Sequence, residues 1–112
     1  MTEKPTAVCR LYGDFAPALV AYTDDVLFGD VWTRPGLSPR DRSLATVAAL
    51  ISGGNTEQLT FHLPYAVEHG VTPAELVELI THLAFYTGWP RAMSALAVAK
   101  QVLGTETGEE PR

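Results

Sequence analysis

The segment GNTEQLTFHLPYAVEHG, residues 54–70, sets Glu57, Gln58, His62 and His69 into a stretch that otherwise reads as an amphipathic helix. Imidazole is the side chain that exchanges a proton near neutral pH, and a nearby carboxylate fixes its tautomer or serves as partner acid. Gln58, His62, Tyr65, Ala66 and His69 fall on one stripe at helical spacing, whereas Glu57 lies about 140° round from His62 at 100° per residue. Glu57 and His62 therefore meet only if the helix starts late or if the site sits at the helix end. His69, just before Gly70, has a simpler reading: a histidine in the last turn interacts favourably with the helix C-terminal dipole.

A second polar group stands at His82, Tyr86 and Trp89, spaced i, i+4 and i+7 beside Leu79 and Leu83. If the helix runs past Gly88 these residues line one side, as a satisfied core hydrogen bond or as the wall of a pocket. Arg42, two positions before Leu44, is placed either to pair with Glu57 or to grip a substrate carboxylate with both guanidinium nitrogens. Arg40 is expected in solvent. His62 and His69 are separated by about 10 Å of helix rise, too far to share an ion, so a metal would require His62 and His82 from different helices together with Glu57; none is expected. No Ser-His-Asp order, phosphate loop or nucleotide fingerprint is present. Cys9 is the single cysteine, which rules out an intrachain disulfide and a CxxC pair and leaves it as a small apolar side chain.

The elements that position these residues are helical. Ser38 is an N-cap with Pro39 in the first turn and Asp41 at the positive end of the dipole, ahead of Leu44, Val47, Ala48 and Ile51. The helix from 39 to about 52 stops at Gly53-Gly54. NTEQ caps a second helix ending at Gly70. In VTPAEL, Thr72 caps a third, with Pro73 first and Glu75 in the capping-box position; it carries Leu76, Leu79, Ile80 and Leu83 to about Thr87. Trp89-Pro90 opens a fourth through Ala92, Leu96, Ala99 and Leu103. Upstream, FAPALVAYTDDVLFGDVW predicts one more helix ending near Gly29, followed by a TRPG turn. No stretch alternates in the strand manner, so the fold class is all-α, with short loops that make neighbouring helices antiparallel. Residues 1–9 and 105–112 read as a flexible N-terminus and a disordered tail around one domain over 10–104.

Charged residues are only 19% of the 112 against 46% hydrophobic, too few to cover a small monomer, which favours an oligomer. A net charge of −5 with eight Lys and Arg argues against nucleic acid. No apolar run approaches about 20 residues and the start lacks the order of a signal peptide, so no membrane partner and a cytoplasmic location are expected.

WTRPGLSPRDRSLATVAALISGGNTEQLTFHL, together with HLAFYTGWPRAMSALAVAKQVL, resembles the carboxymuconolactone decarboxylase family, which also contains the alkylhydroperoxidase D-like proteins. The resemblance covers residues 10–103, and its most specific pieces are the WTRPGL and RxRSL entry, EQLxFH and YxGWPxAMSA. It implies an all-helical subunit built around an antiparallel helix hairpin and assembled as a trimer or hexamer. Peroxidase members carry CxxCxxxH where this chain has Asn55 and Gln58 in the cysteine places, which excludes that disulfide route. The decarboxylase branch has Glu57 and His62 here and uses no cofactor.

The resemblance implies a lyase or isomerase acting on a small lactone acid. In that reading Arg42 orients a carboxylate, His62 shuttles the proton and Glu57 is its partner, while His82 and Tyr86 donate to the oxygen and Trp89, with Gln58, walls the pocket. The better-defined decarboxylases have Asn-His where this chain has Met93-Ser94, glutamine in place of His82 and cysteine in place of Thr87. A paralogue acting on another small acidic or quinone-like metabolite therefore stands as the alternative, beside a non-enzymatic oligomeric binding protein and a redox protein using Cys9.

Overall fold

Ser38 and Thr72 decide where two of the long helices begin. In the computed structural model, which describes residues 6–104, the Ser38 hydroxyl accepts the Asp41 N–H at 3.0 Å and opens α3, Pro39–Gly53. Thr72 opens α5, Pro73–Thr87, with a complete capping box: its hydroxyl accepts the Glu75 N–H at 3.0 Å, and the Glu75 carboxylate accepts the Thr72 N–H at 2.9 Å. Both helices put proline in the first turn, where its missing N–H costs nothing. The described residues form helices and turns with no strand, as the all-α reading expects.

The chain divides after Leu37 into two units. In the first, α1 (Ala7–Tyr12) starts inside the stretch read above as a loose end, because Thr6 accepts the Cys9 N–H and donates to the Asp24 carboxylate at 3.0 Å. The single helix expected to end near Gly29 is instead α2 (Pro17–Ala21) followed by a π-helical stretch, Tyr22–Phe28. The Thr23 hydroxyl donates to the Leu19 carbonyl at 2.8 Å, a bond that Thr46, Thr81 and Thr87 also make to their i−4 carbonyls within α-helices. A 3₁₀ turn, Val31–Thr33, follows, with the buried Trp32 stacked on Phe28.

The second unit begins at Ser38 and holds α3, α4 (Thr56–Glu68), α5 and α6 (Trp89–Leu103). α3 and α4 form one antiparallel hairpin through Gly54, whose φ of +73° suits glycine and ends α3 in the left-handed conformation. α5 and α6 form another through Gly88 at φ +105°. α3 and α6 each pack against both α4 and α5, which leaves α4 and α5 across the diagonal of the bundle. Between them lie Val47 and Ile51 of α3, Leu59, Leu63 and Ala66 of α4, Leu76 and Ile80 of α5, and Ala92, Ala95 and Ala99 of α6, all buried. The alanine face lets α6 approach its neighbours closely.

Two local expectations change. Asn55 occupies the N-cap place of α4 but makes no capping bond; its side chain folds back over Gly53. Arg40, expected in solvent, forms an ion pair with Glu75 and donates from Nε to the Gly70 carbonyl at 3.4 Å, tying the start of α3 to the turn before α5. No helix among the described residues is long and apolar enough to cross a membrane. The tail expected to be disordered, 105–112, lies outside the described residues, as do residues 1–5 of the expected flexible N-terminus.

Leu63 is wholly buried, so Leu63→Ala is expected to lower unfolding free energy by about 2–5 kcal/mol in a urea titration. The Thr72 N–H and then Arg40 hold the Glu75 carboxyl below its ordinary 4.5. Its stabilising effect is therefore present above pH 4.5 and lost as pH falls through the folded-state value. Glu75→Gln is expected to lower the melting temperature at pH 7 and to flatten its decline in that acid window.

Candidate functional site

Helix α4 buries Leu59, Leu63 and Ala66, and this fixes which way its polar residues face. His62 lies about 60° from Leu59 around the axis, and Tyr65 and His69 continue along the same flank. His62 is half-buried, with its Nδ1 among the atoms shielded from solvent. The Phe61 ring lies edge-on to it at a centroid distance of 4.9 Å and Tyr65 at 5.8 Å. Burial lowers the His62 imidazole below its ordinary 6.5, because the low-dielectric surroundings disfavour the cation. At neutral pH it is a neutral base. Burial, and then the Glu68 carboxylate, raise Tyr65 above its ordinary 10.0, so it stays a phenol.

His69 is the C-cap residue of α4, as the helix-end reading requires, but its side chain does more. Its Nδ1 lies 2.9 Å from Oγ of Ser43, which is only 1% exposed in the centre of the α3 surface. The Tyr65 ring meets His69 edge-on at 4.3 Å. This hydrogen bond sets the register of the hairpin: in antiparallel helices Leu50 falls level with His62. Arg42, half-buried with a shielded Nε, stands eight residues from that level, about 12 Å along the axis.

The other expected site residues separate from His62. The helix starts at Thr56, so Glu57 sits in its first turn, exposed and about 140° round from His62. Gln58 is exposed one turn before His62 on the same stripe. His82 and Tyr86 are stacked at 4.8 Å, as the i, i+4 spacing predicts, but both are exposed, on the helix diagonal to α4. Trp89 does not extend their row, because α5 stops at Thr87 and Gly88 redirects the chain; it meets Phe85 edge-on at 5.5 Å and is 58% exposed. Phe85, Tyr86, Trp89 and Met93 leave a broad apolar surface around the α5–α6 junction. Among the described residues no group of three or more His, Cys, Asp or Glu side chains is arranged to hold a metal ion. An open cleft of about 490 Å³ lies over the start of α4, lined by Thr56, Arg91 and Ser94, away from the His62 flank.

Sequence reasoning passed over Ser43 and Phe61 and gave Tyr65 no role. Tyr65 was readable, three residues after one histidine and four before the other. Ser43, 26 residues from His69, carried no local signal.

The described residues of the second unit thus form an all-helical bundle that presents a half-buried histidine on the flank of an antiparallel hairpin. The model of the carboxymuconolactone decarboxylase family matches residues 17–101, and the chain belongs to that family. It is 38% identical over 89 residues to the 4-carboxymuconolactone decarboxylase of Acinetobacter baylyi, covering 80% of this chain and 66% of that protein. It is 34% identical over 87 residues to the nitrosuccinic acid decarboxylase of Metarhizium robertsii, covering 76% of this chain and 61% of that one. An uncharacterised protein of Paracoccus denitrificans is 30% identical over 102 residues, covering 89% of this chain and 76% of that one. The chain thus spans less than two thirds of the length of the two decarboxylases, 66% and 61%.

Because folding lowers the His62 value, protonation below pH 6.5 opposes the folded state, and stability falls from there down through the folded-state value. An NMR titration of the His62 Cε1–H is expected to show a midpoint below 6.5 in the folded protein. A midpoint at or above 6.5 would contradict the burial described here.

Proposed function

We propose that the protein is a cofactor-independent decarboxylase of a small organic acid, with His62 as its acid/base residue. The observation that carries this is the half-buried, neutral His62, walled by Phe61 and Tyr65, in a chain whose two named relatives are both decarboxylases. When CO₂ leaves, the electron pair of the broken C–C bond must pass into the substrate's own conjugated carbonyl, and a proton must return to carbon. In this reading His62 takes a proton from solvent and hands it to that carbon, and an imidazole whose cation is disfavoured gives it up readily. Arg42 holds a carboxylate of the substrate in this reading.

Glu57, Gln58, His82, Tyr86 and Trp89 are exposed in the single chain. Their proposed roles therefore require assembly: a homo-oligomer, trimer or hexamer, in which a neighbouring copy brings the His82–Tyr86 pair to the His62 flank. The exposed apolar surface formed by Phe85, Trp89 and Met93 supports such an assembly. The relatives' names point to different substrates, 4-carboxymuconolactone and nitrosuccinic acid. This favours a second reading, of a paralogue specific for another small acidic or quinone-like metabolite with the same bond broken.

The test offers 4-carboxymuconolactone and nitrosuccinic acid separately to the wild type and to His62→Ala, with CO₂ release followed. Turnover of one acid is expected, and the substitution is expected to reduce kcat about 10²–10⁴-fold without unfolding the protein. A folded wild type that releases CO₂ from neither acid would argue for the paralogue or for a binding protein.

A further inference from the structure

The flank of α4 that carries His62 is built as a chain of ring contacts with a buried anchor at one end. Ser43, in the core-facing surface of α3, lies within hydrogen-bonding distance of His69 Nδ1, at 2.9 Å. The Tyr65 ring lies edge-on to His69 at 4.3 Å and 66°. The same Tyr65 ring meets the His62 ring at 5.8 Å and 76°. On its other side Tyr65 stacks with Phe61 at 4.9 Å and 29°, and Phe61 is itself edge-on to His62. His62 thus has an aromatic ring against it from one residue before and from three residues after. The second of those rings is held in turn by a histidine bonded to the neighbouring helix. Edge-to-face contacts fix relative ring orientation as well as separation, and a terminal imidazole torsion is otherwise broad and roughly two-fold.

We infer that Tyr65 is a positioning residue that fixes the orientation of the His62 imidazole, and that the Ser43–His69 pair holds Tyr65 in place. This deepens the proposed acid/base role of His62 and rests on it for its kinetic consequence, but the orientation itself is observable without any substrate. It is the ring of Tyr65, not its hydroxyl, that does this. Misplacing a catalytic group by about 1 Å costs on the order of 10²-fold in rate, so the loss should fall on kcat rather than on KM.

The experiment compares Tyr65→Leu, Tyr65→Phe and Ser43→Ala by kinetics with the substrate that turns over and by NMR of the His62 ring. Tyr65→Leu is expected to lower kcat about 10–100-fold with KM within about two-fold, while Tyr65→Phe restores most of kcat. In NMR, the cross-peaks of the His62 ring to Phe61 and the His62 ring-nitrogen shifts are expected to change in Tyr65→Leu, to stay as in the wild type in Tyr65→Phe, and to broaden in Ser43→Ala. Unchanged His62–Phe61 cross-peaks and ring-nitrogen shifts in a folded Tyr65→Leu, or Tyr65→Phe as impaired as Tyr65→Leu, would overturn the inference. Should Tyr65→Leu fail to fold, Ser43→Ala decides, since an unaltered His62 resonance there breaks the proposed chain at its anchor. Loss of the NMR signature in a protein that decarboxylates neither acid would uphold the positioning and refute only the decarboxylase reading.

Discussion

The burial of Leu59, Leu63 and Ala66 between α3 and α6 governs the rest of the second unit. Three side chains on one stripe fix the rotation of α4 about its own axis. Every polar residue on the helix then takes its direction from that rotation. At 100° per residue, His62, Tyr65 and His69 fall on the flank toward α3, and Glu57 falls away from it. Burying close to 2 kcal/mol or more of apolar side chain at each leucine sets a rotation that no single surface hydrogen bond could override.

Within that frame, polar contacts refine what apolar burial has placed. The Ser43–His69 bond sets the sliding register of α3 against α4, and the Arg40 ion pair with Glu75 ties the entry of α3 to that of α5. The second of these is exposed and contributes little energy by itself. Its partner carboxylate, however, also closes the capping box of α5, so one side chain serves two elements. Pro64 adds a contrary feature. It sits inside α4 between His62 and Tyr65, with no N–H to offer the Thr60 carbonyl. The helix continues through it because the apolar stripe on both sides is buried.

The helices were legible in the sequence because their boundaries are local. Ser38, Thr72, Glu75, Gly54 and Gly88 act within a few residues of their position, and the structure places the long helices within a residue or so of where those signals point. The π-helical stretch was not legible, since over seven residues its apolar pattern reads the same as that of an α-helix. The site was legible only in part. The i, i+4 pairing of His82 with Tyr86 follows from spacing, whereas a place for His62 in a pocket came only from the family resemblance. The separation of the two pairs follows from which helices become neighbours, and that depends on long-range packing. Trp89 shows the limit well: the same glycine that announced the helix end broke the seven-residue alignment that would have joined it to His82.

Gly88 is the whole of the connection between α5 and α6. With φ at +105° and ψ at 146°, it turns the chain in one residue, and a proline stands two positions later. A joint this short has no slack. A residue added there would rotate α6 by roughly a quarter turn and carry Ala92, Ala95 and Ala99 out of the core.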